Sequence, residues 1–279
     1  MKVRLGAIST FIKELKKIKA KNGYTLFFRG HSDENYVAVP SIFRHVDNDK
    51  KKDKYIINED RLYKSMVANC PSDFHGCNSA FDHLVKMQHY GLPTRLLDIT
   101  SNPLVALYFA CCEHNGKGGS DGEVIIYEIP DEEIKFYSGD TVSVLSNLAK
   151  MPSTFDYKME KDKFLHEIKY EKPYFIDGIK YSHLYTVFCV KPKLDNPRVI
   201  KQSGAFFLFG MGSSKIEPAD IPDHFLFKVG GGSKTIKIAL NGKATILEEL
   251  KELGVSPASL FPEIEKVAEY LKKQPKGML

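Results

Sequence analysis

The stretch Leu104 to Cys112, Leu-Val-Ala-Leu-Tyr-Phe-Ala-Cys-Cys, is apolar on nearly every helical face, and this constrains the fold more than any other segment. Asn102 stands at its N-cap and Pro103 at its first helical position, which marks a helix start. A helix this apolar must be covered on all sides, and it is far short of the roughly 18 residues that a membrane span needs. It therefore predicts a core helix packed among strands.

Strands are expected at Tyr24 to Phe28, Leu92 to Ile99, Glu123 to Ile129 and Tyr185 to Lys191, and in the aromatic run within Val199 to Phe209. A hairpin is expected from His224 to Leu240 around Gly230-Gly231-Gly232. Helical spacing is found over Ser9 to Ala20, Glu59 to Cys70 and Asn78 to Tyr90, and again over Ala244 to Leu253 and Pro262 to Lys273. Gly91 and Pro93 end the third of these helices. Asp47 to Lys54 reads as a solvated loop. The fold class that follows is α/β (α+β), a small mixed sheet flanked by helices with a C-terminal helical closure. There is no internal repeat, which argues against a solenoid.

With 43% hydrophobic and 11% aromatic residues over 279 positions, the chain can build a substantial core. The charge of +5 is spread along the chain and is weaker than the concentrated face of a nucleic-acid binder. The N-terminus lacks the apolar core of a signal peptide, so the expected location is the cytoplasm, with no membrane partner. Five cysteines do not make a disulfide framework. Cys70, His75 and Cys77 lie close together, but no second pair completes a tetrahedral site, and no metal is expected. Cys111, Cys112 and Cys189 read as buried thiols.

Arginine usage is more informative than total charge. Of 40 basic residues six are arginine, and Arg29, Arg44, Arg95 and Arg198 adjoin apolar or Pro/Gly-punctuated segments, while lysines crowd the polar faces. A guanidinium grips carboxylate or phosphate with a planar fork and tolerates burial better than an ammonium. These arginines either meet an anionic ligand or are satisfied by Asp33, Glu34, Asp82, Asp98 and strand-end carbonyls. Gly30, beside Arg29, would permit a close backbone approach to a ligand.

Two segments, Phe27-Phe28-Arg29-Gly30 and His89-Tyr90-Gly91-Leu92-Pro93-Thr94-Arg95-Leu96-Leu97-Asp98, resemble the FRG domain family. So do Pro40-Ser41-Ile42-Phe43-Arg44, Thr100-Ser101-Asn102-Pro103-Leu104, Arg198 followed by Gln202-Ser203-Gly204-Ala205-Phe206, and Leu260-Phe261-Pro262. Ile99 stands where the family pattern leads one to expect tryptophan. The resemblance implies one FRG-like domain over 1–279, with an N-terminal helix in 1–23 and the helical closure in 241–279.

A weaker resemblance, to ADP-ribosyltransferases, rests on the order Arg29-Gly30, Thr100-Ser101 and Gln202-x-Gly204. It implies an ADP-ribosyltransferase-like fold and NAD as cofactor, with Arg29, Gly30 and Arg95 at its phosphates and Thr100 and Gln202 at a sugar. Arg29, Asp98 and Gln202 would carry the catalysis. Gly204 stands at the position of the expected catalytic glutamate, which leaves Asp98 as the candidate acid or the site as a silent binder. The family resemblance further implies a phosphate-bearing small molecule, a macromolecular target and a setting in bacterial defence.

A third reading, a metal-dependent hydrolase or nuclease, draws on His31, Asp33, Glu34, His89 and Asp98, though no recognised ligand spacing is present. Gly210 to Lys215 and Gly230 to Lys234 lack the context of a phosphate cradle and read as turns. If the leading reading is right, Arg29, Arg95, Asp98 and Gln202 should converge on one cleft.

Overall fold

A computed structural model describes residues 4–46, 49, 53–112, 119–229 and 232–272. The expected loop from Asp47 to Lys54 and the turn at Gly230 lie largely outside these residues. Ten strands form in chain order: β1 (Arg4–Leu5), β2 (Tyr24–His31), β3 (Leu96–Thr100), β4 (Gly122–Pro130), β5 (Lys135–Phe136), β6 (Val187–Lys191), β7 (Gly204–Phe209), β8 (Lys228–Val229), β9 (Gly232–Ser233) and β10 (Thr235–Ile238). The helices are α1 (Ile8–Leu15), α2 (Glu59–Asn69), α3 (Pro71–Phe74), α4 (Ala80–His89), α5 (Pro103–Cys111), α6 (Asp140–Asn147), α7 (Tyr157–Glu171), α8 (Pro197–Lys201), α9 (Lys243–Glu252), α10 (Pro257–Leu260) and α11 (Ile264–Lys272).

The α/β class expected from the sequence is what forms. Eight strands make one sheet in the order β1-β10-β4-β2-β3-β7-β6-β5. It is mixed: β1 with β10 and β5 with β6 run parallel, and the other neighbours run antiparallel. The expected hairpin is reduced to the short β8–β9 pair, because β10 leaves it to pair with β4.

Alternation along the strands sorts side chains onto two faces. On one face, Phe28, Val124, Ile126 and Ile238 pack under α1, α5 and α9, while Leu96, Phe206 and Leu208 pack under α4, α6 and α7. On the other, Phe27, Leu97, Ile99, Tyr127 and Phe207 form a third cluster with Ile42, Phe43 and Phe225. Helix α5 is the core helix anticipated, with the Asn102 side chain accepting from Leu104 N at 3.0 Å. Among the described residues no helix is long and apolar enough to cross a membrane.

The first face carries two separate helical groups, and the seam between them runs over β2 and β3. These strands share a single registered pair, Phe28 with Thr100, whereas β2 pairs with β4 along eight positions from Tyr24 to His31. The polar and small residues Gly30, Asp98, Thr100 and Gly204 fall at this seam, where hydrophobic packing is interrupted.

Candidate functional site

A cavity of about 250 Å³ opens at the seam, and Arg29, Gly30, Asp98, Thr100 and Gln202 all line it. Arg44, Arg198, His31 and His89 line it as well. Arg95 does not, which corrects the expected convergence of four residues to three.

Arg95 is fully buried. Its Nε donates to Glu59 Oε1 at 2.8 Å, its second terminal nitrogen meets Glu59 Oε2, and Nη1 donates to the Phe209 carbonyl at 2.9 Å. Lys215 Nζ, also buried, lies 2.9 Å from Glu59 Oε2. Arg95 is thus a structural guanidinium whose partner is Glu59 and not the neighbouring Asp98, and it is withdrawn as a ligand-binding residue.

Arg29 is held by a different set of groups. Its Nη1 donates to the backbone carbonyl of Asp98 at 2.6 Å, and its Nε donates to His31 Nε2 at 3.0 Å. The Nε2 atom of His31 must therefore accept, which makes the ring neutral with its proton on Nδ1. Nδ1 points toward Glu123 Oε1 at 3.4 Å, just beyond good hydrogen-bonding geometry. Glu123 is fixed in turn by Lys237 at 2.7 Å, and Lys237 reaches Glu34 at 3.2 Å. Burial, together with the nearby Arg29 and Arg44, pushes the His31 pKa down, against the opposing pull of Glu123.

Arg44, which is exposed, donates to the Val39 carbonyl at 3.0 Å and presents the rest of its fork to the cavity. The Arg198 guanidinium lies 4.8 Å above the Phe261 ring, a cation–π contact. None of these three arginines has a carboxylate within ion-pair distance among the described residues. Asp98 supplies a carboxylate to the lining, and its Oδ2 accepts from Gln88 Nε2 at 2.8 Å.

Thr100 and Gln202 reach the cavity wall with much of their hydrogen-bonding capacity already used. Thr100 Oγ donates to the Gln202 carbonyl at 2.6 Å and accepts from Asn102 N at 2.9 Å, so this hydroxyl clamps the two strand ends together. Gln202 Nε2 donates to the Leu260 carbonyl at 3.1 Å. Gly30 has a packing role that the sequence did not show. A Cβ there would stand 1.9 Å from the Ala106 carbonyl oxygen, so the residue admits the α5 backbone rather than a ligand.

Behind the lining, Phe261 meets Phe109 edge-on, and Glu263 Oε1 lies 3.3 Å from His89 Nε2. Sequence reading missed Glu123, Lys237 and Glu263 because all three come from segments remote from both signatures. Arg44 and Arg198 carried a usable signal, the sparing use of arginine. Among the described residues, no three His, Cys, Asp or Glu side chains come together as a metal site. Burial pushes the Cys111 and Cys189 thiols up to about 12 and that of Cys112 to about 11, which leaves them poor nucleophiles.

Fold and site together define an α/β protein with an arginine-lined cleft at a seam in its sheet. Residues 24–118 match the FRG domain family, and the chain carries an FRG domain. That match takes in β2, β3 and the helices between them, while Arg198, Gln202 and Gly204 lie beyond it. No curated protein and no solved structure matches the chain.

Proposed function

We propose that the cleft binds a phosphate-bearing nucleotide, with NAD as the candidate ligand. A contrast between arginines carries this reading. Arg95 is matched by Glu59 within the protein, whereas Arg29, Arg44 and Arg198 converge on one cavity with carbonyl, imidazole and ring partners and no ion-paired carboxylate among the described residues. Guanidinium groups placed this way are suited to the oxygens of a phosphate.

For transfer from NAD, the bond between nicotinamide and C1′ of the ribose breaks with its electron pair leaving on nicotinamide. An acceptor nucleophile then bonds to C1′ and gives up its proton. A carboxylate beside the developing oxocarbenium would stabilise it, and Asp98 is the acid in the cavity lining. The second reading is binding without turnover. It is favoured by Gly204 at the expected glutamate position and by the Gln88 amide already held on Asp98. A macromolecular acceptor and a setting in bacterial defence, in the cytoplasm, belong to the transfer reading by resemblance alone.

Titration calorimetry with NAD and ADP-ribose tests the shared core of both readings. Arg29→Ala should weaken binding about ten- to hundred-fold, the worth of one or two charge-assisted hydrogen bonds, with the far-ultraviolet spectrum unchanged. If neither ligand binds at millimolar concentration, the nucleotide reading fails. Labelled NAD with cell extract then separates the two. Transfer that Asp98→Asn abolishes supports the enzyme, and binding without transfer supports the receptor.

A further inference from the structure

The arginine cleft abuts a second space at His89. A groove of about 330 Å³ opens beyond that imidazole, and the two spaces share Val85, His89 and Asn196 as lining. Their common partition includes the hydrogen bond between Asn196 Nδ2 and His89 Nδ1, 3.3 Å long. The arginine cleft by itself is slightly smaller than the roughly 300–1,000 Å³ of ordinary ligand pockets, so a ligand larger than its phosphates needs room beyond it.

The two spaces differ in electrostatic character. The cleft has three arginines against one carboxylate, whereas the groove balances Lys86 and Lys193 against Asp82 and Asp195, with Lys193 and Asp195 paired at 3.1 Å. A phosphate is therefore drawn to the cleft and gains little in the groove. What the groove offers is a ring surface. Tyr90, at the C-terminal end of α4, is 60% exposed, while Pro192 follows β6 and Pro197 opens α8. An uncovered tyrosine beside a charge-balanced slot suits an uncharged planar heterocycle, which can stack on it whatever its hydrogen-bonding edge.

We propose that this groove is a second subsite of the same site, taking one heterocyclic ring of a dinucleotide whose phosphates lie on the arginines. The inference rests on the phosphate reading of the cleft. His89 stands at the junction, held by Asn196 on one ring nitrogen and facing Glu263 with the other.

Calorimetry with NAD and with inorganic pyrophosphate, which has no ring, tests it on the full chain and on Tyr90→Ala, Tyr90→Phe and Arg29→Ala. Loss of one stacked base predicts that Tyr90→Ala weakens NAD roughly five- to hundred-fold, while pyrophosphate is unchanged within about twofold. Tyr90→Phe keeps the ring and should retain NAD affinity; Arg29→Ala should weaken both ligands. If Tyr90→Ala binds NAD as the wild type does, or weakens pyrophosphate equally, the second subsite is overturned. Pyrophosphate binding that depends on Arg29 would in that case leave the cleft reading standing. If the wild type binds neither ligand, both fall together.

Discussion

Arg95 and Glu59 close on each other as a bidentate ion pair in which the arginine is 0% and the glutamate 3% exposed. Burial works to raise the Glu59 carboxyl, but Arg95 and Lys215 outweigh it and hold the group below the usual carboxylate range. Glu59→Gln would leave two buried cations facing an amide. Removing one partner of a buried pair costs about 3–5 kcal/mol, so the urea midpoint should drop sharply. An unchanged midpoint would show that the three groups are not coupled as their distances imply.

The sequence made the strong elements plain and hid the ones with weak patterns. Helix α5 was legible because apolar residues fill nearly all its faces, and β2 because its apolar run ends at Arg29-Gly30. Helices α6 and α7 were not, since α6 buries Ser143, Ser146 and Asn147 beside its apolar residues and α7 sets Phe164 and Ile168 among lysines and acids. Within the site, a separation of three residues suggests Asp98 as the partner of Arg95. In an extended chain, however, positions three apart point to opposite faces, and Glu59 reaches Arg95 from another element. Arg29, Asp98, Thr100 and Gln202 do meet, yet the hydroxyl of Thr100 and the amide nitrogen of Gln202 serve the protein. Motif order identified the neighbourhood, and only the fold distinguishes ligand-facing groups from structural ones.

The Arg29–His31 contact predicts a pH dependence for the cleft. The folded pKa of His31 is depressed below its ordinary 6.5, so the folded protein binds fewer protons than the unfolded chain as the pH falls past that value. Stability contributed by the neutral ring is present above about 6.5 and is lost on acidification. Protonation also ends the acceptor role of Nε2 and places a cation against Arg29, with Arg44 close by and Glu123 opposing. NAD affinity should therefore be flat above about pH 7 and fall toward pH 5, a range in which neither arginine nor a phosphodiester titrates. Protonation of His89, also in the lining, would act in the opposite sense by adding charge to an anion site. His31→Gln, which supplies an acceptor that does not titrate, should flatten the profile. Acid-strengthened binding in a His89→Gln background, where only His31 of the two titrates, would refute the positioning role of His31.

Gly30→Ala tests the packing role of that residue. The added methyl would stand 1.9 Å from the Ala106 carbonyl oxygen and 2.6 Å from Ala110 N, both of them backbone atoms that cannot rotate away. Helix α5 would have to move off the sheet, at a cost of about 1–3 kcal/mol or more. Thermal unfolding should show a lowered midpoint with or without nucleotide. Normal stability combined with lost binding would restore the view that Gly30 serves the ligand.

Gly204→Glu probes the charge balance of the cleft itself. Gly204 pairs with Thr100 across the β3–β7 ladder and lines the cavity. A Cβ at this position would have the Val199 carbonyl oxygen as its nearest neighbour, at 3.4 Å, which is ordinary contact. Unlike Gly30, it can accept a side chain. A glutamate there adds a second carboxylate to a lining of three arginines and Asp98, and it competes with phosphate for the same donors. The variant should unfold within a few degrees of the wild type and bind NAD at least about tenfold more weakly, as expected when a like charge is set beside a bound anion. Gly204→Ala should leave affinity unchanged, which separates charge from bulk. Undiminished NAD binding by Gly204→Glu would mean that the phosphates do not lie on this part of the cleft.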